Sequence, residues 1–230
     1  MTFKVTIITL TPDAWPGALG VSLIGNALKN GKWALEIVDL RNFGKGKHNQ
    51  IDDTAAGGGA GMVIKPDVAL DAINSIDIDN RPIIYLTPRG NPIKQSRVRE
   101  LSKANGLIIF CGRFEGLDER AIKIANMEEI CISDVILMGG DIGAQLLTEA
   151  SVRLIDGVMG KEESHLNESF ENGLLEHPLY TRPREINGIE IPEILLSGNH
   201  AAIDKWKQSQ SEEITKIKRP DLWNDYLKSK

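Results

Sequence analysis

The chain has 230 residues, 41% of them hydrophobic, and a formal net charge of -5 at pH 7. A chain of this length can bury one core of about 150 residues together with a smaller appended unit, so the composition excludes an intrinsically disordered protein. The acidic balance argues against a domain that holds nucleic acid by bulk positive charge, but it leaves room for a local RNA site.

The cysteines, histidines and apolar runs exclude further classes. The two cysteines, Cys111 and Cys131, end apolar runs, which predicts buried free thiols rather than a disulfide framework. The four histidines lack metal-ligand spacing, so we predict no zinc site. No run reaches the roughly 20 apolar residues of a membrane span, and the first residues begin a strand without a signal core. We therefore expect a cytoplasmic protein.

Strand-like and helix-like patterns alternate along the first two thirds of the chain. Apolar, β-branched runs predict strands at residues 3–10, 34–40 and 83–87, and two more between residues 107 and 140. Apolar residues at helical spacing predict helices at residues 16–30, 65–76, 93–105, 117–126 and 141–155. The last helix has its apolar side at Ile142, Leu146, Leu147, Val152, Leu154 and Ile155. This alternation indicates an α/β fold with a mainly parallel sheet.

Three strand-like runs end in loops that contain glycine or proline. The loops begin at Pro88, Gly112 and Gly139. The carboxyl ends of parallel strands meet at one sheet edge, and glycine lets backbone approach a ligand that a Cβ would block. The sequence therefore predicts an α/β enzyme with a small-molecule crevice at this edge.

Residues 41–61 have a different character from the rest of the first domain. They contain few large apolar residues, and they end in a glycine run at residues 57–61. Long loops of this kind inside compact domains are usually functional. The run lacks the spacing of a dinucleotide fingerprint and the ending of a P-loop, so it does not predict a nucleotide fold by itself.

The composition shifts after Gly157, which predicts a domain boundary. Residues 161–171 are polar and charged, as in a flexible linker, and the remainder, with Trp206 and Trp223, predicts a small helical unit. We expect a first domain at residues 1–160, a linker at 161–175 and a helical domain at 176–230.

Six short motifs together carry a resemblance to a known family. They are YLTP at residues 85–88, CGRFEGLDER at 111–120, GG at 139–140, GLL at 173–175, YTRP at 180–183 and LLSGNH at 195–200. In this order they resemble the bacterial tRNA (guanine-N1)-methyltransferase family, which modifies guanosine 37 of tRNA, next to the anticodon. The similarity runs from Val5 to about Trp206.

The resemblance implies a fold and partners that spacing could not indicate. It implies the deep trefoil knot of the SPOUT methyltransferases, with the three loops threaded to hold S-adenosylmethionine bent. It also implies a homodimer with each active site at the subunit interface, tRNA as substrate, and use of magnesium, through carboxylates such as Glu115, Glu168 and Glu176.

Two catalytic residues follow from the resemblance. Arg153 corresponds to the arginine that supports guanine O6, and Glu168 falls where the family usually has an aspartate acting as base. Guanine N1 carries a proton and is a poor nucleophile, so methyl transfer needs a base at N1 and support for the charge that grows on O6. The change to glutamate is a departure, because the carboxylate has one more methylene.

The resemblance also implies binding residues. For the cofactor they are Tyr85, Leu86, Thr87, Pro88, Gly112, Phe114, Glu115, Ile132, Ser133, Leu137, Gly139 and Gly140. For tRNA they are His48, Asp52, Gly58, Gly59, Arg182, Ser197, Asn199 and His200. The sequence departs from the family pattern at Ala60, Phe114, Ser133, Met138 and Gly143. Ser133, in place of a glycine, is expected to weaken cofactor binding, because a side chain stands where backbone should approach the ligand.

Two alternatives stay open at this point. The chain could bind cofactor and tRNA with weak or no turnover, which the changes at Ser133, Gly143 and Glu168 favour. It could also be a SPOUT enzyme that acts on another RNA position, against which the motifs at 180–183 and 195–200 argue.

Overall fold

The computed structural model describes residues 2–159 and 168–230. The chain divides into two compact units, Met1–Gly160 and Lys161–Lys230. Most of the predicted mobile segment, residues 161–167, lies outside the described residues.

The first unit is built on a sheet of five parallel strands. In chain order these are β1 (Phe3–Thr9), β2 (Trp33–Asp39), β5 (Ile83–Pro92), β6 (Gly106–Phe110) and β7 (Glu128–Cys131). A separate antiparallel hairpin consists of β3 (Asp52–Thr54) and β4 (Met62–Ile64). The order across the sheet is β2-β1-β6-β5-β7, and all neighbouring strands are parallel. The predicted α/β class with a mainly parallel sheet is confirmed; the threading of the chain through a knot stays a prediction.

Helices cover both faces of this sheet. They are α1 (Ser22–Lys29), α2 (Pro66–Asn74), α3 (Gln95–Leu101), α4 (Glu119–Ile124) and α5 (Asp141–Val152). One core layer contains Val5, Ile7 and Leu147, and the layer on the other face contains Ile8 and Phe110. Strands buried on both faces are continuous apolar runs, which is why β1 and β6 could be predicted from composition.

A polar network lies at the amino ends of the strands. Arg81, only 3% exposed, donates from Nη1 to Oγ1 of Thr6 at 2.7 Å, and Oγ1 of Thr6 donates to Oε2 of Glu36 at 2.8 Å. Nζ of Lys4 lies 2.9 Å from the same carboxylate oxygen. The buried guanidinium is thus hydrogen-bonded and faces a carboxylate, as buried charges must.

Two predictions about the first unit are wrong. Residues 41–61 are not structureless: a 3-10 helix at Leu40–Phe43 and the β3–β4 hairpin lie within or beside them. The hairpin was missed because its three-residue strands are too short to show a two-residue period. Helix α5 ends at Val152, and Ile142 and Leu146, predicted on its buried side, are 65% and 49% exposed. They lie one turn apart and form a second apolar stripe beside the buried one.

The second unit is helical with one small hairpin. Its elements are β8 (Glu185–Ile186), β9 (Ile189–Glu190), α6 (Glu193–Leu196), α7 (His200–Lys218) and α8 (Pro220–Ser229). Trp223 and Tyr226 on α8 stack with ring centroids 5.6 Å apart, and Trp206 on α7 contacts the Tyr180 ring. In the part of the chain that is described, every helix is too short or too polar to cross a membrane.

Candidate active site

A cavity of about 370 Å³ opens at the carboxyl ends of β5, β6 and β7. All twelve residues predicted to bind a cofactor line it. Tyr85, Leu86, Thr87 and Pro88 belong to β5 itself, so the first predicted loop is instead an interruption in the pairing of β5 with β7 between Leu86 and Asn91. The other eight lie in the loops that follow β6 and β7. Eight further residues complete the lining: Arg113, Gly116, Ile130, Cys131, Val135, Ile136, Met138 and Gly143. These eight were not predicted to bind the cofactor, although Arg113 and Gly116 lie in the motif at residues 111–120 and the others are close in sequence to the twelve.

Tyr85 holds the second loop, which follows β6, in place. Its hydroxyl accepts the backbone N–H of Leu117 at 3.1 Å, and its ring meets Phe110 edge-on. Burial raises the pKa of Tyr85, so the phenol stays protonated. A Cβ on Gly112 would lie 3.0 Å from the Tyr85 ring, and one on Gly116 would lie 3.0 Å from its oxygen. A side chain at Gly112 would therefore force the buried tyrosine to shift, and the φ of +117° at Gly116 favours glycine there.

The second and third loops are joined backbone to backbone. The N–H of Gly140 donates to the carbonyl of Gly112 at 2.9 Å, and Arg113 pairs with Gly139 as an isolated antiparallel bridge. A Cβ on Gly140 would lie 2.8 Å from Cα of Cys111. These glycines therefore permit a backbone contact that forms one wall of the cavity. Cys111 and Cys131 are both buried free thiols, as predicted.

Four positions that depart from the family pattern line the cavity, namely Phe114, Ser133, Met138 and Gly143. Phe114 has a φ of +58°, in the left-handed region that non-glycine residues rarely adopt. Ser133 is exposed, and its carbonyl accepts a hydrogen bond from Sγ of Cys131 at 3.3 Å. A Cβ on Gly143 would lie 3.2 Å from atoms of Leu86 and Ile132, a contact that small shifts can relieve.

The β3–β4 hairpin attaches directly to the second loop. The N–H of Glu115 donates to the carbonyl of Met62, and that of Ile64 to the carbonyl of Gly116, each at 2.9 Å. The cavity wall and the glycine run at residues 57–61 are therefore parts of one hydrogen-bonded structure. No sequence signal pointed to this pairing.

The predicted catalytic residues belong to different units. Arg153 follows the last residue of α5 in the first unit, where its N–H donates to the carbonyl of Glu149.

Glu168, in the second unit, lines a polar cavity of about 350 Å³ together with Glu176, His177, Asp204 and Lys207. Burial and the charge of Lys207 lower the pKa of His177, so this histidine favours its neutral form.

The segment that carries Glu168 is tied to helix α7. The N–H of Leu175 donates to Oγ1 of Thr215 at 2.8 Å, and this hydroxyl donates to the carbonyl of Ser211 at 2.6 Å. Within the segment, the N–H of Glu176 donates to Oγ of Ser169 at 2.9 Å. Leu174 is buried. The fully buried Thr215 thus anchors residues 168–176.

The predicted tRNA-binding residues are mostly exposed and lie in both units. His48, Gly58 and Gly59 are exposed and Asp52 is half-buried, all in the first unit. In the second unit Arg182, Ser197, Asn199 and His200 are exposed. Asn199 also has a structural task, because its Oδ1 accepts the N–H of Ala202 and caps α7.

Fold and site together define a class: an α/β protein in which strand β5 and the glycine-bearing loops after β6 and β7 surround a cavity at one edge of a parallel sheet. Residues 3–225 match the family model described as tRNA (Guanine-1)-methyltransferase TrmD, and the chain belongs to this family. Curated relatives from Brucella ovis and Brucella suis, each named tRNA (guanine-N(1)-)-methyltransferase, are 55% identical over 228 residues. The alignment covers 99% of this chain and 94% and 93% of those relatives.

Proposed function

We propose that this protein transfers a methyl group from S-adenosylmethionine to N1 of a guanine in tRNA, the guanosine at position 37. The observation that carries the proposal is the cavity at the ends of β5, β6 and β7, which is lined by all twelve residues selected for the cofactor. Family membership and the names of the relatives support the same reaction.

The cavity fits the proposed methyl donor. Its volume of about 370 Å³ lies within the range of roughly 300 to 1,000 Å³ that small-molecule sites occupy. Its walls offer backbone N–H and C=O groups from glycine-bearing loops, and a Cβ on Gly139 or Gly140 would meet neighbouring atoms within 3 Å. Backbone groups of this kind suit adenine and ribose, which need directional hydrogen bonds rather than charge.

The chemistry is divided between Glu168 and Arg153. S-adenosylmethionine supplies a methyl group on a positively charged sulfur, which keeps the bonding electron pair when the methyl group leaves. Glu168 accepts the N1 proton, so that the N1 electron pair can form the new bond to the methyl carbon. Arg153 stabilises the negative charge on O6 that develops as the proton departs.

Magnesium is part of the proposal through the family resemblance. Its ligands would come from carboxylates such as Glu115, Glu168 and Glu176. Within residues 2–159 and 168–230, no group of three or more His, Cys, Asp or Glu side chains is arranged to hold a metal ion. The proton transfer and the support of O6 described above are assigned to Glu168 and Arg153.

We also propose a homodimer with each active site at the subunit interface. Ile142 and Leu146 on α5 are exposed, as are Val21 and Leu23 beside the amino end of α1. Residues 14–20 pack against α5, with Nε2 of Gln145 donating to the carbonyl of Ala14 at 3.0 Å. A second copy of the chain is the partner that we assign to this apolar surface.

A direct assay tests the proposed reaction. The purified protein is incubated with S-adenosylmethionine and an unmodified tRNA transcript bearing G36 and G37, and the digested nucleosides are analysed by mass spectrometry. We expect 1-methylguanosine, which disappears when G37 is replaced by adenosine. Binding of the cofactor without any methylated nucleoside would favour the non-catalytic alternative, and a methylated ribose would favour another SPOUT reaction.

A further inference from the structure

A buried carboxylate lies directly beneath the cofactor loops, and the chemistry above does not use it. Asp141, the first residue of α5, is only 6% exposed. Its Oδ1 accepts the hydroxyl of Thr9 at 2.6 Å and the indole N–H of Trp15 at 3.1 Å. Among the described residues, its Oδ2 has no hydrogen-bond partner. Burying a carboxylate oxygen without a hydrogen-bond donor costs free energy, so the presence of an aspartate at this position requires an explanation.

The cation closest to the unsatisfied oxygen is Arg113. Its Nε lies 3.9 Å from Oδ2 of Asp141, within ion-pair range but too far for a hydrogen bond. The Arg113 side chain crosses from the second loop to the third, because a Cβ on Gly139 would lie 2.7 Å from its Cδ. Its Nη1 is 3.5 Å from the carbonyl of Met138. One side chain thus contacts both loops and points toward the carboxylate.

Of the contacts that Asp141 makes, the one with Arg113 is the one that we expect to change when a ligand binds. Thr9 ends β1 and Trp15 follows a 3-10 helix, and both of these donors to Oδ1 are buried. Burial, the charge of Asp141 and a side-chain hydrogen bond to Asp141 together raise the pKa of the neighbouring Cys111 thiol well above its usual range. The thiol is therefore neutral and adds no second negative charge.

We infer that Asp141 is a positioning residue for the methyl donor: paired with Arg113 across Gly139, it holds the second and third cofactor loops at the spacing that the cofactor requires. The inference rests on the proposed function. A charge fixed to the core sets the direction of the arginine, and the arginine sets the distance between the loops. Cofactor binding is expected to bring Nε and Oδ2 to about 2.8 Å, the length of a charge-assisted hydrogen bond.

The substitution Asp141→Asn isolates the charge. Asparagine has the same shape and keeps an oxygen that accepts from Thr9 and Trp15, but it no longer attracts Arg113. We expect the dissociation constant for S-adenosylmethionine, measured by calorimetry, to rise about tenfold, the order of coupling between residues in direct contact. The turnover number at saturating cofactor should change much less, because the proposed chemistry at the guanine is assigned to Glu168 and Arg153.

A matched control separates positioning from general loss of stability. Arg81 is another buried charge on the same sheet, but it lies at the opposite ends of the strands and donates to Thr6. Arg81→Gln should lower the melting temperature at least as much as Asp141→Asn while leaving cofactor affinity unchanged. If both variants lose affinity in proportion to their loss of melting temperature, Asp141 is only structural.

A double-mutant cycle completes the test. Arg113→Gln alone should weaken cofactor binding, and adding Asp141→Asn should then cost little more, because the pair acts as one unit. Additive losses would overturn the inference. If the unaltered protein itself binds no S-adenosylmethionine, the proposed function fails; if it binds and Asp141→Asn binds equally well, only the inference fails.

Discussion

The carboxylate of Glu115 occupies the space that a side chain on Gly61 would need. A Cβ on Gly61 would lie 2.5 Å from Oε1 of Glu115, and the glycine has a φ of +94°. Because Glu115 lines the cavity that we propose for the cofactor and Gly61 ends the glycine run, this contact joins the two parts of the proposed site. An alanine at Gly61 must displace the Glu115 side chain as well as strain the backbone.

Gly61→Ala is therefore expected to reduce cofactor affinity as well as methylation of tRNA. A matched control is Gly57→Ala, since Gly57 has a φ of +92° but no atom within 4 Å of the place where its Cβ would lie. Both variants carry the same backbone strain, and only the first displaces Glu115. Calorimetry with S-adenosylmethionine should show weaker binding for Gly61→Ala alone. Equal affinities in the two variants would contradict a role for the contact.

The roles assigned to Glu168 and Arg153 predict that substitutions at these residues lower the turnover number without weakening cofactor binding. Glu168→Gln keeps the size of the side chain but cannot take the N1 proton, so the turnover number should fall by about 10²- to 10⁴-fold. Arg153→Lys retains charge but loses the planar guanidinium, and we expect a loss of about 10²-fold from removing support at O6. Cofactor affinity should be nearly unchanged in both. A parallel loss of affinity and turnover would contradict these roles.

A third prediction concerns the anchor of the segment that bears Glu168. Thr215→Val keeps the shape of the residue but removes the hydroxyl that accepts from Leu175 and donates to Ser211. A shift of about 1 Å in a reacting group can cost about 100-fold, so we expect turnover to fall by about 10- to 100-fold. Thr215→Ser retains the hydroxyl and should restore most of the rate. Single-turnover kinetics with both variants distinguish this outcome from a mere loss of stability, which serine would not repair.

The cavity could be predicted from the sequence, but the residues around it could not. Glycine-bearing loops after apolar strands predicted a crevice at this sheet edge, and the individual cofactor residues were predicted only through the motifs of the family resemblance. The Asp141–Arg113 pair could not be predicted, since the acid lies 28 positions beyond the arginine and single charged residues carry no periodic signal. The exposure of Leu146 was also missed, because a helix with apolar residues on two faces looks the same whether a core or another copy covers the second face.

The polar network at the amino ends of the strands predicts that the free energy of unfolding decreases as the pH falls into the acidic range. Burial raises the pKa of Glu36, but hydrogen bonds from Lys4 and Thr6 outweigh it, so the folded-state pKa lies below 4.5. A carboxyl group whose pKa is lower in the folded state stabilises the fold at pH values above its unfolded-state pKa. This contribution is lost as the pH falls through the folded-state pKa. The Glu36 side chain is 41% exposed, so we expect less than about 1 kcal/mol.

The measurement compares urea unfolding of the unaltered protein and Glu36→Gln at several pH values. The unaltered protein should be the more stable at pH 7, and the difference should vanish at a pH well below 4.5. A difference that persists unchanged into acid would mean that the Glu36 charge does not contribute.

A final prediction concerns the shared active site. If Arg153 of one copy works with Glu168 of the other, Arg153→Ala and Glu168→Gln should each be inactive alone, yet mixed subunits should regain activity. Random pairing makes half of the dimers mixed, and each mixed dimer has one intact site of two, so about a quarter of the full activity should return. Co-expression with two affinity tags isolates the mixed dimer, which should reach about half.

The apolar surface provides the control for that experiment. Leu146→Asp places a charge on the proposed interface and should yield monomers by light scattering, with loss of methylation. Ile124→Asp introduces the same charge at another exposed apolar position, 69% exposed on α4, and should leave the dimer intact. If mixing the two inactive variants restores nothing while the dimer persists, Arg153 and Glu168 act within one subunit. If Leu146→Asp stays dimeric, the contact surface lies elsewhere on the molecule.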